Sequence, residues 1–179
     1  FCKCRRCASC VPFARVLICV YVWNYKSICV ECQQEICLFV KIRLGNKNDG
    51  GYIIEEGTLS RVDALYSYGV GNNTSFEEDF VRLTNKPVFL FDHTVSDPQR
   101  SGMIFQKEGL AGTIKQGFNN FSSICKHQNV LLKIDVEGAE IEWIEQTDFD
   151  KLPVDTLVME FHNLPYDLTY IEKIKNQFN

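Results

Sequence analysis

Short apolar runs that end on polar residues, separated by helix-patterned stretches, constrain this chain more than any other feature. Ala64–Tyr68 leads into Gly69-Val-Gly71, Val88–Phe91 ends on Asp92, and Val130–Ile134 ends on Asp135. The run at 156–159 leads into Glu160-Phe-His162, and Met103–Gln106 is a weaker run of the same kind. All are short and rich in β-forming residues, as strands covered on both faces should be. Between them, Ser75-Phe-Glu-Glu combines a capping residue with acids in a first turn. Ile114, Phe118, Phe121 and Cys125 share one face of a predicted helix by 4-3-4 spacing. Ile141, Trp143 and Ile144 fall on a helix after Gly138, and Leu168, Ile171, Ile174 and Phe178 on a last one. Strands alternating with helices predict an α/β fold with a mainly parallel sheet and right-handed crossovers.

In such sheets a ligand binds at the carboxyl ends of the strands, where the strand order reverses. The notable polar residues all sit at those ends. With strand order 3-2-1-4-5, Gly71 and Asp135 face each other across the crevice. Gly69-x-Gly71 opens a helix and lets a ligand approach the backbone. Asp92 follows Gly69 by about the spacing at which an acid accepts ribose hydroxyls. Position 74, where a third fingerprint glycine would stand, is Thr. That favours a nucleoside without a pyrophosphate, such as S-adenosylmethionine, over a dinucleotide; a nicotinamide oxidoreductase is the alternative enzyme.

Asp135 and Glu137 sit at the crevice end of a buried strand, whereas Glu140 and Glu142 fit dipole capping in the first turn of the next helix. Glu160 and His162 alternate on one strand and project towards one face. One reading makes them a base–carboxylate set that needs no metal, with His162 or Asp135 taking a proton from an acceptor hydroxyl. A second places a divalent metal on Asp135, Glu160 and His162. A third is a strand-end histidine held by structural carboxylates. The segment Asn46-Lys-Asn-Asp-Gly-Gly-Tyr52 reads either as a plain hairpin turn or as one wall of the crevice.

Composition matters because it divides the chain. Of 179 residues, nine are Cys, and eight of these lie in the first 37. Residues 1–45 hold seven Lys/Arg against two Asp/Glu, and the remainder holds twelve against twenty-one. We therefore separate a basic, cysteine-rich leader, 1–40, from an acidic body, 41–179. The body is large enough for one core. A sequence pI near 5.4 argues against a bulk nucleic-acid binder. In the leader, Cys2, Cys4, Cys7 and Cys10, and the pair Cys29 and Cys32, have thiol spacing seen in zinc or iron–sulfur sites. A targeting segment, a disulfide framework and a stretch outside the folded domain fit the same residues. The apolar run at 16–23 is too short to span a bilayer as a helix. The body is expected to work in the cytoplasm unless the leader directs it elsewhere.

The body also carries an ordered set of motifs: Gly-Asn-Lys-Asn-Asp-Gly-Gly-Tyr at 45–52, Tyr-Ser-Tyr-Gly-Val-Gly at 66–71 and Ser-Phe-Glu at 75–77. Phe-Asp-His-Thr-Val follows at 91–95, Leu-Lys-Ile-Asp-Val-Glu-Gly-Ala-Glu at 132–140 and Met-Glu-Phe-His at 159–162. Over about 42–162 this set resembles the FkbM-type, methyltransferase-like branch of class I S-adenosylmethionine-dependent methyltransferases. The resemblance implies a Rossmann-like, doubly wound sheet. It implies a methyl donor lying along Tyr68, Gly69 and Gly71, with its ribose at Asp92, and His93 as a further donor-binding residue. Adenine would lie near Glu108, Gly109 and Leu110. Asp135, which also borders the donor, and Glu137 would flank the methyl-transfer site together with His162. The implied reaction is O-methylation of a sugar or other small-metabolite hydroxyl, with a small molecule or glycan as partner and no nucleic acid. A full domain of this class adds an antiparallel hairpin after the last helix, so a chain ending at Asn179 is expected to be C-terminally truncated. The alternative outside enzymology is a catalytically inactive nucleoside-binding module.

Overall fold

The strands assemble around alternation. The computed structural model describes residues 17–22, 25–30, 40–47 and 49–162. In chain order these form β1 (Leu17–Val22), β2 (Tyr25–Val30), β3 (Lys41–Leu44), β4 (Tyr52–Glu55), a one-turn helix α1 (Thr58–Arg61), β5 (Ala64–Tyr68) and α2 (Ser75–Thr84). There follow β6 (Val88–Phe91), β7 (Met103–Gln106), β8 (Gly109–Leu110), β9 (Phe118–Asn119), α3 (Phe121–Ile124), β10 (Val130–Ile134), α4 (Glu140–Gln146), a 3-10 turn at Phe149–Lys151 and β11 (Val154–Phe161).

The main sheet has the order β2-β1-β11-β10-β5-β6-β7. All neighbours are parallel except β2, which pairs antiparallel with β1 at one edge. The run β11-β10-β5-β6-β7 is the predicted 3-2-1-4-5 arrangement seen from its other end, so the Rossmann-like, doubly wound expectation holds. Two stretches of the leader, β1 and β2, pair onto this sheet. The Cys2–Cys10 cluster and the last predicted helix lie outside the described residues. No described helix is long and apolar enough to cross a membrane.

Successive side chains of a strand point to opposite faces, and the core divides accordingly. Ala64, Tyr66 and Tyr68 of β5, with Val130, Leu132 and Ile134 of β10, pack with Phe121, Trp143 and Ile144. Leu65 and Leu131 face the other way, towards Leu44, Ile54, Phe76 and Phe80. That second layer contains the β3–β4 hairpin. The same face also buries an ion pair: Lys133 Nζ lies 3.3 Å from Glu77 Oε1, with side chains 3% and 0% exposed.

Helix α2 forms where the sequence places it. Its Ser75 N–H donates to Asn73 Oδ1, and Asn85 ends it in a left-handed conformation. The helix predicted through Ile114, Phe118, Phe121 and Cys125 does not form. Gly117, at φ +75°, turns the chain so that Lys115 and Phe118 bridge, and Phe118–Asn119 pairs with β8 as a strand. Only Phe121–Ile124 is helical, started by Asn120 Oδ1 accepting the Ser122 N–H at 3.0 Å. Ile114, expected on the buried stripe, is 70% exposed.

Candidate functional site

The strand order reverses between β5 and β10, and the carboxyl ends of these two strands meet there. Asp135 N–H donates to Tyr68 O at 3.0 Å. Gly69 sits at φ +73°, and a Cβ on it would stand 1.6 Å from Asp135 O, so no side chain fits at this crossing. Gly71, at φ +52°, has nothing within 4 Å of where its Cβ would be. The first glycine closes the strands together; the second opens a space beside them.

Asp92, at the end of β6, borders that space. Its Oδ2 accepts the Gly71 N–H at 2.9 Å. Its Oδ1 accepts from Thr94 N at 2.7 Å, Thr94 Oγ1 at 2.6 Å and Val95 N at 3.3 Å. Burial alone would push this carboxyl up. The Thr94 hydroxyl and the Gly71, Thr94 and Val95 amides outweigh burial and hold it below the usual range.

Beyond Asp92, Gly109 passes between two rings. A Cβ there would lie 2.5 Å from Phe118 and 2.9 Å from His93 Nδ1. The His93 and Phe118 rings are 4.7 Å apart. Glu108 Oε2 accepts from Asn119 Nδ2 at 2.8 Å, and Asn119 Oδ1 accepts the Tyr68 hydroxyl at 2.6 Å. Of the residues expected to meet the methyl donor, Gly69 packs on Asp135 O and Gly109 on Phe118 and His93, Gly71 is hydrogen-bonded to Asp92, and Glu108 is hydrogen-bonded to Asn119. Tyr68 contributes only backbone, because its ring is buried and stacked 4.5 Å from Phe91. Leu110 is likewise a core side chain.

The opposite end is a corner of carboxylates. Asp135 follows β10, and His162 follows β11. His162 Nε2 lies 3.6 Å from Asp135 Oδ1 and 3.7 Å from Glu137 Oε2. These three residues offer donor atoms within 4.8 Å of one another and are the described group able to hold a metal ion. Glu137 reaches the corner from a left-handed backbone, φ +54°. Glu160, which the metal reading from sequence had included, turns to Tyr52 instead.

Tyr52 was not among the expected site residues, and it organises the corner. Its hydroxyl lies 2.8 Å from Asp135 Oδ2 and 2.9 Å from Glu160 Oε2. Burial and the two neighbouring carboxylates push the phenol well above its ordinary range, so it stays a donor. Burial and then the Asp135 charge raise the Glu160 carboxyl. The Tyr52 ring is 5.4 Å from Lys133 Nζ, which connects the corner to the buried ion pair beneath it. The loop before Tyr52 is the turn of the β3–β4 hairpin. Asn46 N–H donates to Ser75 Oγ at 3.1 Å, and Asn73 Nδ2 to Asp49 O at 3.1 Å, fastening it to the start of α2.

Glu140 does more than its place in a first turn suggests. It lies in the first turn of α4 yet is fully buried and joins two segments. Gly138 N–H donates to its Oε2 at 2.7 Å and His162 N–H to its Oε1 at 2.6 Å. Dipole capping suits the exposed Glu142 better.

A doubly wound sheet with a glycine turn, a carboxylate at the next strand end and an acidic corner opposite is the Rossmann-like class of α/β fold, in which ligands bind at the switch point. The Methyltransferase FkbM domain matches residues 33–177, and the chain belongs to that family of methyltransferases. Neither the curated proteins nor the solved structures contain a match to it.

Proposed function

We propose that this methyltransferase uses S-adenosylmethionine to methylate a hydroxyl of a sugar or another small, uncharged metabolite. The observation that carries the reading is the convergence at one strand crossing. The open face of Gly71 and the Asp92 carboxylate lie on one side of Gly69, and the Asp135, Glu137 and His162 group on the other.

The residues present fit the donor. The space beside Gly71 is what a Cβ would fill, and it suits the methionine portion. Asp92 Oδ2, which among the described residues accepts the Gly71 N–H, has a further lone pair suited to a ribose hydroxyl. The His93 and Phe118 rings, packed against each other at 4.7 Å, offer an aromatic edge for adenine to lie against. Bound there, S-adenosylmethionine supplies an electrophilic methyl carbon. The chain's own contribution is alignment, which can supply much of the rate, and a corner that receives the hydroxyl and its proton. Four acids, Asp135, Glu137, Glu140 and Glu160, meet at or next to His162. They disfavour a phosphorylated or carboxylated acceptor and oppose nucleic acid for the same reason.

The test is a thermal-shift comparison of S-adenosylhomocysteine with NADH, followed by product detection by mass spectrometry with polyol and sugar acceptors. We expect stabilisation by S-adenosylhomocysteine alone and a 14-dalton mass gain on an acceptor. Stabilisation by NADH alone would overturn the reading. Binding without transfer to any acceptor would favour an inactive nucleoside-binding module.

A further inference from the structure

We propose that Asp135, Glu137 and His162 hold a divalent cation, and that the acceptor hydroxyl docks on it. The ion site stands on the geometry of this corner. Its task at the acceptor rests on the methyltransferase reading above.

The first observation is the state of His162. Its side chain is nine-tenths buried, with Nδ1 towards Glu140 and Nε2 towards the corner. Nε2 points between two carboxylate oxygens, at 3.6 and 3.7 Å, which is too far for direct hydrogen bonds. Buried polar atoms are rarely left so. Ligand atoms about 2.1 Å from an ion stand roughly 3.0 to 3.4 Å apart. The two His162 distances need shifts of only a few tenths of an ångström; the donor atoms as a set lie within 4.8 Å of one another, and the exposed Glu137 side chain can close the remainder.

The second observation is the support behind each donor. Metal-binding histidines usually present their other ring nitrogen to a carboxylate or carbonyl, and ligating carboxylates are themselves hydrogen-bonded. Here Glu140 accepts the His162 backbone N–H and so fixes where the ring stands, although its Oε1, 3.6 Å from Nδ1, makes no hydrogen bond to the ring itself. Tyr52 donates to the Asp135 oxygen turned away from His162. Glu137 is the adjustable member, its side chain 84% exposed. Charge points the same way. Among the described residues, the nearby buried cation, Lys133, is matched with Glu77. One imidazole with two carboxylates suits Mn²⁺ or Zn²⁺ better than Ca²⁺. Three protein donors leave coordination positions for an acceptor oxygen, whose proton a bound cation makes easier to lose.

The whole chain, stripped with a chelator and without added nucleoside, should be titrated with Mn²⁺ while the free ion is followed by electron paramagnetic resonance. We expect one site per chain. Asp135→Asn and His162→Ala should each weaken it at least about tenfold. Glu137→Gln, on an exposed side chain that cannot threaten folding, should weaken it by a smaller factor. Glu56→Gln, an exposed acid outside the corner, should leave it unchanged. No stoichiometric site, or one that Glu137→Gln and Asp135→Asn leave intact, overturns the proposal and marks any binding as adventitious. S-adenosylhomocysteine binding measured on the stripped chain separates the two readings. If the nucleoside binds and Mn²⁺ does not, only the ion site fails; if Mn²⁺ binds and the nucleoside does not, the methyltransferase assignment of the site fails.

Discussion

Replacing Lys133 with Met tests how the floor of the acceptor corner is held. The substitution keeps most of the aliphatic stem and removes the ammonium. Glu77 would then keep Ser67 Oγ at 2.5 Å on Oε1, while Oε2 already lacks a hydrogen-bond partner. A carboxylate in a fully buried position would have one donor left. Breaking a buried pair in this way costs about 3–5 kcal/mol, from a total stability of about 5–15 kcal/mol for an ordinary domain. Removing both charges is different. Glu77→Gln with Lys133→Met leaves no buried ion, and such neutral replacements are often close to neutral, so about 1–2 kcal/mol is expected. The coupling between the two positions should then exceed about 1 kcal/mol, with the double variant more stable than Lys133→Met alone. Urea unfolding of the four proteins, followed by circular dichroism at pH 7, measures it. With a slope of about 2 kcal/mol per molar, the single variant's midpoint should fall by about 1.5–2.5 M. A loss under about 1 kcal/mol for Lys133→Met, or strict additivity in the double variant, would refute the argument that this pair holds a committed charge.

His162→Ala should lower turnover by about 10²-fold or more, while S-adenosylhomocysteine affinity by calorimetry stays within a few-fold. Lost cofactor binding with unchanged turnover would remove His162 from the acceptor end. Asp92→Asn should weaken cofactor binding and also change acid stability. Because the folded carboxyl titrates below its unfolded value, its contribution is complete above the ordinary Asp range and is lost as pH falls through the depressed value. The variant should show a shallower loss over that acid window in chemical unfolding; an unchanged slope would contradict the hydrogen-bond argument. Gly69→Ala imposes a side chain at φ +73° against Asp135 O. The left-handed conformation alone costs about 1–2 kcal/mol, so a fall in melting temperature together with lost nucleoside binding is expected. An undisturbed melting temperature would mean that β5 and β10 can separate at no cost.

The parallel core was legible because β5, β6, β7 and β10 are short, apolar and terminated by polar residues, a local pattern that burial on both faces enforces. The segment around 114–125 misled for an equally local reason. Its apolar spacing suits a helix, but Gly117 adopts a positive φ and turns the chain into a bridge before β9. At the site, Gly69, Gly71, Asp92 and Asp135 were visible because the positions of strand ends follow from the strand pattern. Tyr52 was not, since its partners Asp135 and Glu160 are 83 and 108 residues away, and nothing in its neighbourhood reports that pairing. Glu140 sits in a first turn, as the sequence places it, but that position does not report its second bond. What distinguishes it is the amide of His162, 22 residues further on.

That carboxylate has a consequence for assembly. Glu140 binds one amide from the turn after β10 and one from the far end of β11, so it is satisfied only when both are in place. A partly folded chain lacking β11 would expose or strand a charge here, and the corner would have no partial form. Capture of an ion or an acceptor by Asp135, Glu137 and His162 would then report that the sheet has closed over its last crossover. The same side chain that steadies the site also makes it a checkpoint on completed folding.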